Sequence, residues 1–270
     1  MESVSARGDE IPKIGLGTFR LEDEACVKTV QAALEMGYRH IDTAEYYDNQ
    51  RAIGDAIDTM GVPREELFLT TKVWKTNLER EAVHSSARES LERLGVEYVD
   101  LLLIHWPNEN VPVEETLGAM NRLQEKNRVR YIGVSNFSVS QLQEAMVASE
   151  TPIVTNQVKY HPYVDRDELL EYCREHEVLL TAYSPLAEGR VVDDGTLAKI
   201  GGRYDKSPPQ VALRWLVQQD GVIAIPKASS REHLRANLEV FDFELTTEEM
   251  VEVTSLRGGL IYRVRKALGG

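Results

Sequence analysis

Cysteine is scarce in this chain. Cys26 and Cys173 are the only two in 270 residues, far apart and in no CxxC pair. That rules against a disulfide framework or a thiolate metal site and points to a reducing, cytoplasmic setting. Long apolar runs are missing as well. The longest strong one is LLLI at 101–104, against the roughly 18 apolar residues of a membrane span. The opening MESVSARGDEIP is polar and holds no secretory stretch. Basic residues are outnumbered, with 31 Lys and Arg against 44 Asp and Glu and a net charge of −13. No surplus remains to replace the counterions of a nucleic acid. The six histidines show neither HxH nor HExxH spacing, which argues against a catalytic metal. GLG at 15–17 is too short for a GxGxxG dinucleotide fingerprint.

What the chain does contain is a rhythm. Eight short apolar runs recur: IGLG (14–17), YRHID (38–42), LFLTTK (67–72), VDLLLIH (99–105), VRYIGVS (129–135), IVTNQ (153–157), VLLTAYS (178–184) and VIAIPK (222–227). Near-continuous Val, Ile and Leu suits strands covered on both faces. Between them, stretches such as EACVKTVQAALEMG and EAVHSSARESLERLG carry apolar residues at helical spacing and end on Gly37 and Gly95. Glu89 and Arg93 stand one helical turn apart, placed to pair. Alternation of this kind predicts an α/β protein, a single (β/α)8 TIM barrel spanning residues 1–270 as one domain. Two pieces fall outside the rhythm. The connection after the seventh strand, 187–207, is long and weakly patterned. The tail after 246 adds a helix and a basic end from Arg257 to Lys266.

Barrel chemistry gathers at the C-terminal ends of the strands. Those positions hold Thr18, Asp42, Lys72, His105, Ser135 with Asn136, Gln157, Ser184 and Lys227. A lysine at a buried strand end needs a counter-ion, and Asp42 on the next strand can supply it. Tyr46 or Tyr47, beside that ammonium, would find its anion stabilised and its pKa lowered, as suits a general acid–base. A neutral His105 could orient a carbonyl oxygen. Together these groups describe carbonyl polarisation, with a hydride donor as the missing partner.

The motifs GLGTF, DTAEYYDNQ, TKVW, LLLIHWP, GVSNF, NQVKYHP, AYSPL and IPKASSREHLRANLEVFDFEL resemble, in order and over nearly the whole chain, the aldo-keto reductase superfamily. In its short length the chain is similar to prokaryotic members such as the 2,5-diketo-gluconate reductases and aldehyde reductases. The resemblance implies an NAD(P)H-dependent carbonyl reductase with a catalytic tetrad. The family's tyrosine lies five residues after its aspartate, which selects Tyr47, with Asp42, Lys72 and His105 in the other places. It further implies that Thr18, Asp42, Ser135, Asn136, Gln157, Tyr183, Ser184, Leu186, Lys227, Ser229, His233 and Asn237 hold the cofactor. Phe19, Trp74, His105 and Trp106 would line the substrate opening. Where NADPH-favouring relatives carry serine and arginine, this chain has Ala228 and His233. The implied cofactor is therefore NADPH, with NADH also accepted. The tail lacks the Gly-Pro-Asp-Pro type of ending of short relatives. Two other readings compete: a non-catalytic nucleotide-sensing protein on the same barrel, and Schiff-base chemistry at Lys72. A monomer or weak homodimer acting on a small carbonyl compound is expected.

Overall fold

The computed structural model describes residues 2–258, and it opens on an element that the polar N-terminus conceals. Strands β1 (Ser3–Ala6) and β2 (Asp9–Pro12) pair antiparallel. Arg7 and Gly8 turn between them at φ of 53° and 93°, the doubly left-handed turn whose twist matches a hairpin. Ile11 of β2 packs with Phe68, Leu101, Leu103, Val154, Leu179 and Ile223. The hairpin thereby plugs the barrel where its strands begin, opposite the end at which the polar ring was expected.

The eight apolar runs each give a strand: β3 (Leu16–Gly17), β4 (His40–Asp42), β5 (Phe68–Val73), β6 (Val99–Ile104), β7 (Val129–Ser135), β8 (Ile153–Lys159), β9 (Leu179–Tyr183) and β10 (Val222–Ala224). Each pairs in parallel with the next in sequence. The two ends of this sheet meet as well. Ile14 bridges Ala224 in parallel, with Gly15 N–H to Ala224 O at 2.9 Å and Ala224 N–H to Lys13 O at 2.9 Å. Closure depends on a close backbone approach: a Cβ at Gly17 would lie 2.5 Å from the Ile225 carbonyl oxygen, so no larger residue fits there without a shift. The sequence therefore folds as the (β/α)8 barrel that its alternation predicts.

Helices cover the outside: α1 (Asp23–Glu35), α2 (Gln50–Met60), α3 (Arg80–Leu94), α4 (Val113–Glu125), α5 (Val139–Ala148), α6 (Asp167–Glu175), α7 (Gly195–Gly201), α8 (Pro208–Val217), α9 (Arg231–Leu238) and α10 (Thr247–Thr254). Gly95 ends α3 in the left-handed conformation at φ 66°, and Glu89 and Arg93 pair at 3.5 Å on its surface. The long connection after β9 is folded. A 3-10 segment, Ala187–Asp193, leads to α7, where the Asp194 side chain accepts from Thr196 N–H and Leu197 N–H. Val191, Leu197 and Ile200 carry it into the core. The helix expected after 246 is α10, started by a Thr246–Glu249 capping box. Of the basic end, residues 259–270 lie outside the described ones.

Candidate active site

Asp42 ends β4, and Lys72 lies one residue before the end of the neighbouring β5. Both are buried. Lys72 Nζ donates to Asp42 Oδ1 at 2.5 Å, to the Thr43 carbonyl at 2.7 Å and to Tyr47 Oη at 3.3 Å. Gln157 Nε2 donates to the other Asp42 oxygen at 2.7 Å. Buried charge is tolerated when it is paired and its remaining valences are filled, and here both conditions hold. Burial works against the ammonium, but Asp42 and Tyr47 together outweigh it, and the Lys72 pKa lies above the ordinary lysine value. A charged lysine with three acceptors is poorly suited to Schiff-base attack, which needs a free amine.

The two adjacent tyrosines are told apart by direction. They belong to a short 3-10 turn, Glu45–Tyr47. Tyr47 faces Lys72, whereas the exposed Tyr46 ring stacks on Trp74 at 4.0 Å. The expected lowering of the tyrosine pKa is not what the structure gives. Burial raises the Tyr47 pKa above that of free tyrosine; Lys72 pulls it down, and Asp42 cancels part of that pull. Tyr47 is a protonated phenol at neutral pH, a donor in waiting. His105 follows β6, with its ring 5.7 Å from that of Tyr47 and 5.0 Å from that of Trp74. Burial, reinforced by the Lys72 charge, lowers its pKa to about 3. The imidazole is neutral, as expected, and its buried Nδ1 has no partner among the described residues.

Asp42, Tyr46, Tyr47, Trp74, His105 and Gln157 border a cavity of about 690 Å³ at the C-terminal end of the strands, and the buried Lys72 touches it through Asp42 and Tyr47. The Aldo/keto reductase family model matches residues 13–257. The chain belongs to the aldo/keto reductase family. Methylglyoxal reductase DkgB of Escherichia coli O157:H7 is 40% identical over 249 residues, covering 91% of this chain and 93% of its own. Glyoxal reductase of Bacillus subtilis (strain 168) is 40% identical over 250 residues, 92% and 90% of the two chains. The crystal structure of a thermostable aldo-keto reductase, Tm1743, with the inhibitor epalrestat superposes at a TM-score of 0.90. It is 42% identical and covers 95% of this chain and 100% of that one. As an aldo/keto reductase, the chain is an oxidoreductase of carbonyl and CH–OH groups that works with NAD(P)H.

An aldo/keto reductase must hold a dinucleotide, and the residues here fit one unevenly along its length. Thr18, Asp42, Ser135, Asn136, Gln157, Tyr183, Ser184, Leu186 and Lys227 all line the cavity. Ser135 Oγ donates to the Gln157 carbonyl at 2.8 Å, and Asn136 Nδ2 donates to Ser135 Oγ at 3.0 Å and to the His105 carbonyl at 3.1 Å. Tyr183 Oη donates to Asn136 Oδ1 at 2.9 Å. Thr18 Oγ1 bonds the Asp42 carbonyl, and Lys227 Nζ reaches the Arg20 carbonyl at 3.3 Å. Ser229, His233 and Asn237 lie outside the cavity, at and along α9. Ser229 and His233 are exposed, while buried Asn237 keeps Nδ2 without a partner among the described residues. Asn237 also lies against the Tyr38 side chain, in the helix that follows Lys227.

Phe19, Trp74 and Trp106 line the cavity as expected. Tyr46, the tyrosine that the family spacing passes over, joins them, as do Arg20, Lys159 and Glu188, which were not picked out in the sequence. Arg20 lies two residues past Thr18, and Lys159, two past Gln157, closes β8 itself, so both are within reach of a more generous reading. Lys159 pairs with Glu188 at 3.1 Å across the mouth, and Glu188 belongs to the unpatterned connection, where no sequence signal exists.

Proposed function

We propose that this aldo/keto reductase reduces small aldehydes and ketones, dicarbonyls among them, with Tyr47 as the general acid. The contact of Tyr47 Oη with the Lys72 ammonium at 3.3 Å, itself held by Asp42, carries the reading. When bound, the reduced nicotinamide supplies the hydride. Tyr47 gives its phenolic proton to the carbonyl oxygen, and the Lys72 charge stabilises the phenolate left behind. His105, neutral at all working pH values, donates a hydrogen bond that orients the same oxygen. Ser135, Asn136 and Gln157 would hold the carboxamide, Tyr183 the ring face and Ser184 and Leu186 the pyrophosphate side, with Thr18 and Asp42 also contributing to the cofactor site. Lys227, Ser229, His233 and Asn237 would take the adenosine end. Phe19, Trp74 and Trp106 would form the substrate wall, an apolar enclosure with few polar groups.

The relatives named for methylglyoxal and glyoxal support small dicarbonyls as the first substrates to try. Residues 1–270 are read as one barrel domain, cytoplasmic, monomeric or weakly dimeric. Among the described residues no helix is long and apolar enough to cross a membrane. Both reduced cofactors should support turnover of an aldehyde, diketone and keto-sugar panel. His233 offers a mostly neutral ring where a fixed guanidinium would grip a 2′-phosphate, and Arg231 is engaged with Glu35 at 2.7 Å. The preference for NADPH in kcat/KM should accordingly stay below about a thousandfold, roughly 4 kcal/mol. No cofactor oxidation with any carbonyl in the panel would remove the reading.

A further inference from the structure

We propose that Glu45 is the positioning residue that sets the Tyr47 phenol against Lys72. The inference rests on the reading of Tyr47 as the acid, and it starts from how little else holds the turn. Glu45–Tyr47 is a single 3-10 turn closed by Tyr47 N–H to the Ala44 carbonyl at 3.0 Å and Asp48 N–H to the Glu45 carbonyl at 3.4 Å. Asp48 then leaves it in the left-handed conformation at φ 54°. Its entry is fixed by β4. Its exit is fixed by Asn49, whose Nδ2 donates to the Thr18 and Leu21 carbonyls at 2.8 and 3.0 Å, and whose Oδ1 accepts from Thr43 Oγ1 at 2.8 Å.

The middle is held by the Glu45 side chain, which lies off the cavity. Glu45 Oε1 accepts from the backbone N–H of Trp74 and from Asn77 Nδ2 at 3.0 Å; Oε2 accepts from Ser86 Oγ on α3. Trp74 stands two residues beyond Lys72, and Asn77 N–H closes a turn onto the Trp74 carbonyl at 2.8 Å. One carboxylate therefore ties the turn that presents the phenol to the strand end that presents the ammonium. The same bond fixes Trp74, on which Tyr46 stacks, so acid and substrate wall share an anchor. A displacement of about 1 Å at a reacting group can cost about a hundredfold in rate, and the 3.3 Å contact of Tyr47 with Lys72 leaves little slack.

The test compares Glu45→Ala, Glu45→Gln and Ser86→Ala with the parent enzyme and Tyr47→Phe, reading kcat, KM for NADPH and thermal midpoint. Glu45→Ala should lower kcat roughly tenfold or more while KM for NADPH stays within about twofold. Glu45→Gln should recover most of that loss, because its amide oxygen still accepts from Trp74 and Asn77 and its NH2 can donate to Ser86. Ser86→Ala, which keeps two of the three bonds, should lose less than Glu45→Ala and serves if the alanine variant does not fold. Parent-like kcat in Glu45→Ala, a lowered midpoint alone, or a glutamine variant as slow as the alanine one would each overturn the proposal. Should Tyr47→Phe turn over normally, the acid assignment itself fails, and that result is separate from any of these.

Discussion

Tyr47→Phe is expected to bind NADPH as the parent enzyme does and to turn over aldehydes roughly 10²–10⁴-fold more slowly, the usual contribution of a positioned general acid. The substitution removes one oxygen and leaves the ring. Its packing against Phe19 at 5.0 Å and His105 at 5.7 Å should persist. Lys72 loses its longest contact and keeps Asp42 and the Thr43 carbonyl. The residues proposed to hold the nicotinamide bond one another rather than Tyr47, so affinity should not follow turnover. Fluorescence titration with NADPH and steady-state assays on the same preparation separate the two quantities. A parent-like rate would show that the phenol is a bystander.

Lys72→Met should damage stability as well as rate. Removing one partner of a buried ion pair costs about 3–5 kcal/mol, because the other charge is left uncompensated. Asp42 would keep only the Gln157 amide on its carboxylate. Urea unfolding of Lys72→Met should show that loss, and adding Asp42→Asn should restore part of it by removing the stranded charge. The pH dependence has a definite sign. The folded-state pKa of Lys72 is raised, so its contribution is complete below the ordinary lysine value of about 10.5 and is withdrawn as pH rises through the folded value. Between about pH 6 and 9, around the usual working range, the stability gap between parent and Lys72→Met should therefore not narrow as pH rises. A gap that closes toward about pH 9 would mean the pair is not charged as described.

Much of this arrangement could be read before any coordinates. A barrel strand is apolar on both faces, so β3 to β10 announce themselves as Val, Ile and Leu runs, and its end is fixed by where the run stops. Asp42, Lys72, His105, Ser135 and Gln157 all fall at such stops; all but Lys72 line one cavity, and Lys72 joins it through Asp42 and Tyr47. What stayed hidden depends on tertiary quantities. The hairpin strands, SVSA then DEIP, are short and largely small or polar, and their inward face is marked only by Val4, Ala6 and Ile11. The connection after β9 turns through Glu188 and Gly189 at φ of 56° and 96°, a kink that no periodicity encodes. Spacing could name Lys72 as a force on the Tyr47 pKa but not weigh it. Burial, which raises that pKa, is a property of the closed barrel. Nor could spacing say that Tyr46 turns outward onto Trp74, or that Glu45 reaches two other elements.

A pH–rate profile of single-turnover carbonyl reduction, taken from about pH 5 to about pH 11 for the parent chain and Tyr47→Phe, tests the central claim most directly. An acid must be protonated to act, and Tyr47 is held above the ordinary tyrosine value of about 10. The parent rate should stay level through neutrality and fall only above that value, as the coupled Tyr47–Lys72 pair loses a proton. The residual rate of Tyr47→Phe should lack that fall. A parent rate that drops near pH 6.5, about where free histidine titrates, would make the imidazole the acid and contradict the account, as would an alkaline fall left unchanged in Tyr47→Phe.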